Sequence, residues 1–529
     1  MGKTLELTID RFEGGMTGNI RSKNFSLSRA IKHLDPLSHQ GRLLPLRDMA
    51  ADGSTGDTEK LCQYLVARKI NSAVASDVWA LGVVSGQTYA KIFRRTDVAD
   101  AWAAAHATLA QDTVARSEKL FVEYNNVLYG ANTNNIWSYD IAANVFTSAA
   151  QILTYANIAQ GIVHSKDYIL YIPYDNKIAS KNAGAAFNLT ALTLPENLII
   201  TSICEYGNYL AIATKPLNRS GIVHSTVYLW DRDATLETLP EKIDWGAETL
   251  LLIEEIDGFL VGISAIGVGT GDSGVDYSAW NFKPKVIFRV WDGTRAVKFL
   301  ELPALSSTSL NITGKQKIHN RLYFMMTIKM GGLRFGEDTD GVQLNGVWAL
   351  GRNEQGQFCL YLDRLLNNDT AITTCIPKGF LLFGDYMQVA YTTAGTYVVN
   401  VTNTSDVYTA ASGTYESLIL GESYRHFRLK AVGVMTEPMP AAGQVILKYK
   451  TDAETSWTTV FTHTAADALF HEAINIESSG ANLPQFREIQ IQLLVTGKAV
   501  VTGLWIQAEE IEDGLVARLL RSLIGWLIG

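Results

Sequence analysis

The chain has 529 residues, 47% of them hydrophobic and 19% charged, and this composition excludes a disordered, collagenous or low-complexity protein. The formal net charge is −8, with no long run of either sign, so we expect neither sequence-specific nucleic-acid binding nor stable membrane insertion. Four scattered cysteines exclude a disulfide framework and a CxxC metal pair. At about 150 residues per domain, the length predicts three or four domains, or fewer if one is a large β architecture.

Residues 1–50 predict an extended N-terminal arm. A short strand ends in a Gly-Gly turn, and an alternating segment follows before the Asp35-Pro36 pair. Arms of this kind either supply a strand to a neighbouring sheet or lie on another subunit. Phe12, Gly14 and Gly15 are therefore candidate partner contacts.

Residues 51–420 repeat one unit, in which an apolar run, a short polar turn and a second apolar run follow each other. The turn markers are Asp77, Asn126, Asp167, Gly207, Asp257, Asn320 and Gly379. Successive markers lie between 40 residues (167 to 207) and 63 residues (257 to 320) apart, close to β-propeller blades of about 40–50 residues with insertions. We predict a six- or seven-bladed β-propeller; hairpins in one or two β-sandwiches are the alternative.

Most repeats continue into a third strand that carries an aromatic residue. Four of these strands hold Trp137, Trp230, Trp291 and Trp348. A tryptophan on an alternating strand usually packs in the core. Less commonly, it forms a platform on which a sugar ring stacks. Both uses stay open.

Two Gly- and Asp-rich insertions, 267–277 and 331–341, are predicted to be loops on one propeller face, where binding surfaces are common. Asp272, Asp276, Asp338 and Asp340 are candidate partner contacts in these loops. The Asp338/Asp340 spacing occurs in calcium loops, but the remaining ligands of such a loop are missing. We predict no metal site.

The C-terminal part predicts two further elements. Residues 421–510 alternate apolar and polar side chains, as at 444–450 and 488–495, and predict an antiparallel β-sandwich. Residues 511–529 predict a short amphipathic helix, too short to span a bilayer. Its apolar face docks on the sandwich, on a partner subunit or on a membrane surface. This face consists of Leu515, Leu519, Leu520, Leu523, Trp526 and Leu527, and the last five are candidate partner contacts.

No local motif supports catalysis. The nine histidines show no HxH, HExxH or HxxxH spacing, and there is no GxSxG elbow or phosphate-binding Gly-Lys-Ser/Thr motif. Carboxylates distant in sequence can still converge as a glycosidase pair. We predict a non-enzymatic protein with no catalytic residue and no cofactor.

The arrangement of arm, propeller and sandwich resembles virion proteins of tailed bacteriophages. The motifs that carry the resemblance are Phe-Glu-Gly-Gly-Met at 12–16, Phe-Ser-Leu at 25–27, Ile-Lys-His-Leu-Asp-Pro-Leu at 31–37 and Arg-Leu-Leu-Pro-Leu at 42–46. The propeller is similar to the blades of tail nozzle and tail-tip components. The resemblance implies assembly in the host cytoplasm, location in the virion tail, a homo-oligomeric ring and contacts with other tail proteins.

Two functions from different classes follow as hypotheses. The first is a non-enzymatic structural component of a bacteriophage tail, forming a nozzle, hub or tail-tip ring through the arm, the two loops and the last helix. The second is a carbohydrate-binding or glycan-hydrolysing β-propeller with an accessory β-sandwich, in which the four tryptophans stack on sugars. Activity against a glycan panel discriminates between them.

Overall fold

The fold is described from a computed structural model. The residues that it describes are 4–19, 22–24, 26–52, 60–69, 76–84, 90–95, 107–109, 120–131, 135–152, 158–217, 224–233, 241–266, 284–304, 310–330, 342–366, 375–383, 386–393, 396–403, 408, 413–421, 425–452, 454, 456–464, 471–475 and 484–511.

The prediction of an all-β protein is confirmed: the described residues form β-strands and no helix. The strands before residue 200 are β1 (Thr4–Ile9), β2 (Gly15–Met16), β3 (Leu27–Lys32), β4 (Leu34–Asp35), β5 (Leu44–Pro45), β6 (Met49–Ala51), β7 (Lys60–Lys69), β8 (Ser76–Val84), β9 (Ala90–Arg95), β10 (Ala107–Leu109), β11 (Phe121–Tyr124), β12 (Val127–Ala131), β13 (Asn135–Asp140), β14 (Val145–Ile152), β15 (Ile162–Val163), β16 (Leu170–Tyr174), β17 (Lys177–Lys181), β18 (Phe187–Thr193) and β19 (Leu198–Tyr206). The later strands are β20 (Tyr209–Pro216), β21 (Ser225–Trp230), β22 (Glu241–Gly246), β23 (Thr249–Ile256), β24 (Phe259–Ile266), β25 (Lys285–Trp291), β26 (Ala296–Pro303), β27 (Asn311–Ile318), β28 (Arg321–Met330), β29 (Val342–Arg352), β30 (Phe358–Leu365), β31 (Cys375–Phe383), β32 (Tyr386–Thr393), β33 (Thr396–Thr402), β34 (Gly413–Ser417), β35 (Leu420–Gly421), β36 (Phe427–Thr436), β37 (Gln444–Thr451), β38 (Thr458–Thr464), β39 (His471–Asn475), β40 (Gln485–Phe486), β41 (Glu488–Thr496) and β42 (Val501–Glu510).

Internal contacts divide the chain into two compact units. Unit 1 comprises residues 1–48, 352–364 and 407–529, and unit 2 comprises residues 49–351 and 365–406. The predicted domain boundaries at residues 50, 420 and 510 stay predictions, and residues 512–529 of the predicted C-terminal helix lie outside the described part of the chain.

Unit 1 contains two mainly antiparallel arrays. One has the order β1-β42-β36-β39, with β40 beside β36, and the other runs β30-β3-β34-β41-β37-β38. The predicted arm contributes to both, because β1 pairs along its whole length with β42 and β3 pairs with β34. Strands β36, β37 and β42 alternate buried and partly exposed residues over part of their length, as expected for sheets with one covered face. Strand β41 is buried at five successive positions, so the alternation predicted for 488–495 does not correspond to one buried and one exposed face there.

The described residues of unit 2 form seven sheets. Sheets 1 to 5 each have four antiparallel strands in sequential order: β7 to β10, β11 to β14, β15 to β18, β19 to β22 and β23 to β26. Sheet 6 contributes β27 to β29 to this unit, and sheet 7 has the order β31-β32-β33-β6. In sheets 1 to 6, strands that are consecutive in the chain lie side by side, whereas β6 in sheet 7 comes from a distant part of the chain. Two-residue turns join the first two strands of sheets 2, 4, 5 and 6 and set their register.

Each sheet of unit 2 contacts the next one through its side chains, and sheet 7 contacts sheet 1. From sheet 1 onward the contacts are Trp79 with Tyr139 (ring centroids 5.9 Å apart), Tyr129 with Phe187 (5.8 Å), Tyr171 with Trp230 (5.8 Å), Tyr206 with Trp291 (5.6 Å), Phe288 with Phe324 (6.3 Å), the Gln316 amide with the Leu382 carbonyl (2.9 Å), and Leu381 with the apolar cluster of Val78 and Phe93. These contacts bury the apolar faces that each sheet would otherwise expose.

The outer strand of sheet 7 comes from the other end of unit 2. Strand β6 pairs antiparallel with β33, and the Asp52 amide donates a 2.9 Å hydrogen bond to the Val399 carbonyl. One Asp52 carboxylate oxygen lies 2.9 Å from Arg95 Nη1 on sheet 1, and the other accepts a hydrogen bond from Gln388 on sheet 7. The start and the end of unit 2 are thus joined by backbone pairing and a buried ion pair.

Most of the predicted turn markers lie in turns. Asn126, Gly207, Asp257 and Asn320 lie in two-residue hairpin turns, and Asp167 lies in a longer one. Two markers lie in strands instead. Asp77 pairs with Arg68 inside β8, and Gly379 follows a bulge in β31, where the ladder shifts by one residue after Pro377. A bulge beside a proline has the same local composition as a turn, so the pattern did not separate them.

Candidate binding face and cavity

The turns between the first and second strands of sheets 3, 4 and 5 lie on the same side of unit 2. The Ser165 hydroxyl donates a 2.6 Å hydrogen bond to Glu205, and the Lys166 ammonium reaches the Asn208 side chain, so the turns of sheets 3 and 4 touch. The Ile253 amide donates a 3.3 Å hydrogen bond to the Ser202 hydroxyl, and this bond links the first strand of sheet 5 to the first strand of sheet 4. We call residues 165–168, 207–209 and 257–259 the turn face.

Each of these turns displays an aromatic side chain. Tyr168, Tyr209 and Phe259 are 55%, 39% and 37% exposed. Tyr209 and Phe259 occupy the same position, the first residue after the turn, paired with Tyr206 and Ile256. One exposed aromatic residue is ordinary for a protein surface, but three on adjacent sheets form a surface suited to ligand contact.

Tyr168 adopts a backbone conformation that is costly for a large side chain. Its φ angle is +52°, in the left-handed region that Asn, Asp and Gly favour. The Tyr124 hydroxyl donates a 3.0 Å hydrogen bond to the Tyr168 carbonyl, and the two rings lie 5.3 Å apart. Sheet 2 therefore helps to hold Tyr168 in this exposed position.

A polar network supports the turn face from below. Asp167 forms an ion pair with Arg232 Nε at 3.0 Å, accepts a hydrogen bond from the Tyr171 hydroxyl at 3.1 Å and lies 3.2 Å from His164 Nδ1. Arg232 also donates to His164 Nε2 at 2.8 Å and to the Asn208 carbonyl. Burial, followed by the Asp167 carboxylate, raises the pKa of Tyr171, which therefore stays a neutral donor. The network joins sheets 3 and 4 beneath the exposed rings.

A cavity of about 320 Å³ lies between the outer part of sheet 4 and sheet 5. Strand β22 forms one wall, and the end of β25 with the β25–β26 turn forms the other. Trp291 lines this second wall, is half-buried and packs edge-to-face against Tyr206 at the end of β19. Arg289 reaches across it: Nη2 lies 2.6 Å from a Glu248 carboxylate oxygen, and Nη1 donates to the Ala296 carbonyl at 3.0 Å.

Asp292 shapes the turn at the mouth of this cavity. One of its carboxylate oxygens accepts from the Arg295 amide at 2.9 Å, and from the Thr294 amide at 2.8 Å and hydroxyl at 2.7 Å. These hydrogen bonds favour the ionised form and lower the pKa of Asp292 from 3.8 to about 2.

We predict that the turn keeps its shape as the pH falls to about 4 and loses the support of Asp292 between about 4 and about 2. The folded-state pKa lies below the unfolded value, so the carboxylate stabilises the turn above the unfolded pKa and this contribution is lost on acidification through the folded one. The measurement is an NMR titration of the Thr294 and Arg295 amides, with Asp292→Asn as the variant that should abolish the transition. A midpoint near pH 4 in the wild type would contradict the prediction.

The first strands of sheets 4, 5 and 6 meet at a buried lysine. Lys315 Nζ donates to the carbonyls of Ile203 (2.6 Å) and Ile253 (2.8 Å) and pairs with Glu254 at 2.8 Å. Its backbone carbonyl accepts a 3.4 Å hydrogen bond from Gln160, which precedes sheet 3. Cys204 lies beside this pair, and burial is the main cause that raises its pKa.

Only three of the predicted partner contacts belong to the described residues. Phe12 is fully buried in unit 1, with its ring 5.1 Å from that of Tyr415. A Cβ on Gly14 would lie 2.5 Å from the Ser26 carbonyl oxygen, and Gly15 has a φ angle of +76° beside Leu360. These residues pack within unit 1, and a contact with a partner stays a prediction. The other predicted contacts lie outside the described residues: Asp272, Asp276, Asp338, Asp340, Leu519, Leu520, Leu523, Trp526 and Leu527.

The four tryptophans considered as stacking platforms divide into two groups. Trp137, Trp230 and Trp348 are buried, and the Trp348 indole donates a 3.0 Å hydrogen bond to the Met326 carbonyl. Trp291 is half-buried and lines the cavity. Core packing therefore accounts for three of them, and one is placed where a ligand could reach it. The sequence reading missed Tyr168, Tyr209 and Phe259, although an aromatic residue directly after a polar turn marker is a signal that could have found them.

Among the described residues, no group of three or more His, Cys, Asp and Glu side chains is arranged to hold a metal ion. The same part of the chain contains no helix with the length and apolar character of a membrane span.

Comparison with known proteins identifies no family. No family model matches the chain, and no curated protein matches it. Among solved structures it is similar to the computationally designed Ika8 protein (10% identity, 64% of this chain and 96% of that one, TM-score 0.35). It is also similar to an exo-β-1,3-galactanase from Phanerochaete chrysosporium (10%, 86% and 99%, TM-score 0.30) and to a family 43 arabinoxylan arabinofuranohydrolase from Bacillus subtilis (10%, 88% and 99%, TM-score 0.29). TM-scores of this size support no conclusion about function.

Proposed function

We propose that unit 2 is a closed seven-bladed β-propeller and that the chain is a carbohydrate-binding protein whose ligand lies on the turn face. The closure rests on the sheet-to-sheet contacts and on β6, which completes sheet 7 beside sheet 1. In a closed ring each sheet packs both of its faces against a neighbour, so no sheet exposes an apolar face. The two arrays of unit 1 correspond to the β-sandwich in this proposal.

The observation that carries the proposed function is the display of Tyr168, Tyr209 and Phe259 on three successive sheets. Polar turn residues separate the three rings, so the surface is not the continuous apolar patch of a typical protein–protein interface core. A sugar chain fits this alternation, because its C–H faces pack on aromatic rings while its hydroxyl groups hydrogen-bond to the polar groups between them. Lys166 and Asn208, which hydrogen-bond to each other in the turns that carry the first two rings, supply such groups.

The proposal is for binding without bond cleavage. Glycoside hydrolysis commonly uses two carboxyl groups facing the scissile bond, one as acid and one as base or nucleophile. Where the first strands of sheets 5 and 6 meet, Glu254 is paired with Lys315, and Glu255 with Lys317. These ammonium partners favour a structural use of both carboxylates.

A glycan array probed with the full chain tests the proposed function. We expect retention of at least one oligosaccharide, and a roughly 2- to 12-fold loss of affinity for each of Tyr168→Ala, Tyr209→Ala and Phe259→Ala, from about 0.5–1.5 kcal/mol per aromatic contact. The matched control is Ile376→Ala, because Ile376 is 53% exposed but lies at the start of β31, at the opposite end from the β31–β32 connection. The proposal would be overturned if the folded chain binds no glycan, or if Ile376→Ala lowers the affinity as much as the three aromatic substitutions do.

The role as a ring-forming component of a bacteriophage tail, with its virion location and partner tail proteins, stays a prediction. Light scattering on the purified chain measures whether it self-associates. If it forms a discrete oligomer that the three aromatic substitutions dissociate, the turn face is a protein interface and the carbohydrate proposal is wrong.

A further inference from the structure

Two buried polar atoms beside the cavity at β22 lack hydrogen-bond partners among the described residues. They are one donor, Arg289 Nε, and one acceptor, Glu248 Oε2. Arg289 lines the cavity, and Glu248 is its ion-pair partner. Buried polar groups are nearly always satisfied by protein, water or ligand, so this cluster indicates that something polar completes it.

Gly246 packs directly against this ion pair. A Cβ placed on this residue would lie 2.5 Å from Glu248 Oε2 and 3.3 Å from Arg289 Nη2, so only glycine lets the carboxylate approach the cavity wall this closely. Gly246 itself lines the cavity and has a φ angle of +119°, which other residues rarely adopt. The unsatisfied carboxylate oxygen and the guanidinium thus lie against a wall residue that has no side chain.

We propose that this cavity binds a single neutral pyranose ring, such as the terminal unit of a glycan. The inference rests on the proposed function in taking carbohydrate as the ligand class. A sugar hydroxyl both accepts and donates, so one hydroxyl can accept from Arg289 and donate to Glu248 at the same time. The volume of about 320 Å³ lies at the small end of ligand cavities, as expected for a single ring.

The charges around the cavity favour a neutral ligand. The Arg289 guanidinium is already paired with Glu248, and Asp244 on the facing strand lies 2.9 Å from the His224 ring nitrogen. The walls also carry Glu241, Lys242 and Arg295, and Arg295 Nε lies 3.8 Å from the Asp292 carboxylate. A phosphate or a carboxylate would meet charges of both signs here, whereas hydroxyl groups match the mixture of donors and acceptors. Trp291 supplies the aromatic face against which the C–H side of the ring packs.

The test is ¹⁹F NMR of the full chain labelled with 5-fluorotryptophan. The conservative variant Trp291→Phe assigns the Trp291 signal among those of the 11 tryptophans. Titration with glucose, galactose, mannose and N-acetylglucosamine is expected to move the Trp291 signal with at least one sugar, with millimolar affinity, and to leave the buried Trp348 signal in place. Inorganic phosphate is the contrasting probe and is expected to move neither signal.

A second variant connects binding to the ion pair. Glu248→Gln presents an amide that cannot match both carboxylate acceptors, and we expect it to weaken the response at least tenfold. Glu301→Gln makes the same chemical change in the same sheet, at a position on β26 outside the cavity lining, and is the matched control that should leave the response unchanged. If Glu248→Gln does not fold, the wild-type titration still decides the inference, because it needs only the labelled chain and the assigned signal.

The outcomes separate this inference from the proposed function. If the glycan array responds to the turn-face variants but no sugar moves the Trp291 signal, the cavity is not a pyranose site and the proposed function stands. If a sugar shifts the Trp291 signal, and the substitutions at Tyr168, Tyr209 and Phe259 do not change glycan binding on the array, the cavity is confirmed as a site and the turn face is not one. A response to phosphate alone would overturn the choice of a neutral ligand.

Discussion

Substituting Asp52 by Ala is expected to lower the free energy of unfolding of the chain by about 3–5 kcal/mol, the cost of removing one partner from a buried ion pair. The Asp52 and Arg95 side chains are 6% and 0% exposed, with 2.9 Å between them. The substitution leaves the Arg95 guanidinium buried without this carboxylate and also removes the acceptor for Gln388. Because Asp52 follows β6, the loss falls at the junction of sheets 1 and 7.

Urea and thermal unfolding of the purified chain measure this effect, with Lys298→Ala as the matched control. Lys298 pairs with Glu301 at 2.7 Å, but the two side chains are 49% and 32% exposed, so its loss should cost no more than about 1 kcal/mol. Arg95→Met combined with Asp52→Ala should cost less than the sum of the two single changes, because the attraction between the two charges is then lost only once. A loss in Asp52→Ala as small as that in the control would show that the junction does not depend on this ion pair.

Substituting Lys315 by Met is expected to destabilise the chain by a similar amount, about 3–5 kcal/mol. The Lys315 side chain is 4% exposed, and its ammonium satisfies two backbone carbonyls and Glu254, which is itself only 13% exposed. Methionine has a similar length and fills the space, so the loss would come from three acceptors left without a donor rather than from a cavity.

Two measurements check the Lys315 prediction. The first is unfolding, with Lys317→Met as the control, because Lys317 and Glu255 form a more exposed pair, with 32% and 21% of their side chains accessible. The second is the rate at which a thiol reagent modifies Cys204, which is buried beside Lys315 and Glu254. We expect faster modification in Lys315→Met than in Lys317→Met. Equal stability and equal thiol reactivity would show that Lys315 is not a structural link between sheets 4, 5 and 6.

Local chemistry made several turns predictable from the sequence. The pairs Asn125-Asn126 and Asp257-Gly258 have φ angles of +52° and +66°, and +50° and +81°. Both central residues of a tight hairpin turn of this kind need positive φ, which Asn, Asp and Gly tolerate best. The aromatic third strands were predictable for a similar reason, because alternation along a strand reports directly which face is buried.

The candidate site was only partly predictable. Trp291 was named as a stacking platform and lines the cavity, but nothing in its neighbourhood separated it from Trp348, which is buried in the core. The difference is tertiary. Trp291 lies at the end of β25, beside the cavity that β22 lines. Trp348 lies inside β29, and its indole donates a hydrogen bond to the backbone of β28. Burial depends on what packs above a strand, and strand composition does not report this.

By itself, the sequence determined the all-β character, the repeat of turn-linked strands and the positions of most first turns, because side-chain alternation and backbone φ preferences act within a few residues. Only the tertiary structure decided that Met49–Ala51 pairs with a strand about 350 residues later and that Arg289 meets Glu248 in front of Gly246. Such contacts join segments whose separation leaves no periodic pattern, and they form because closing the sheets buries apolar faces and pairs the remaining polar groups.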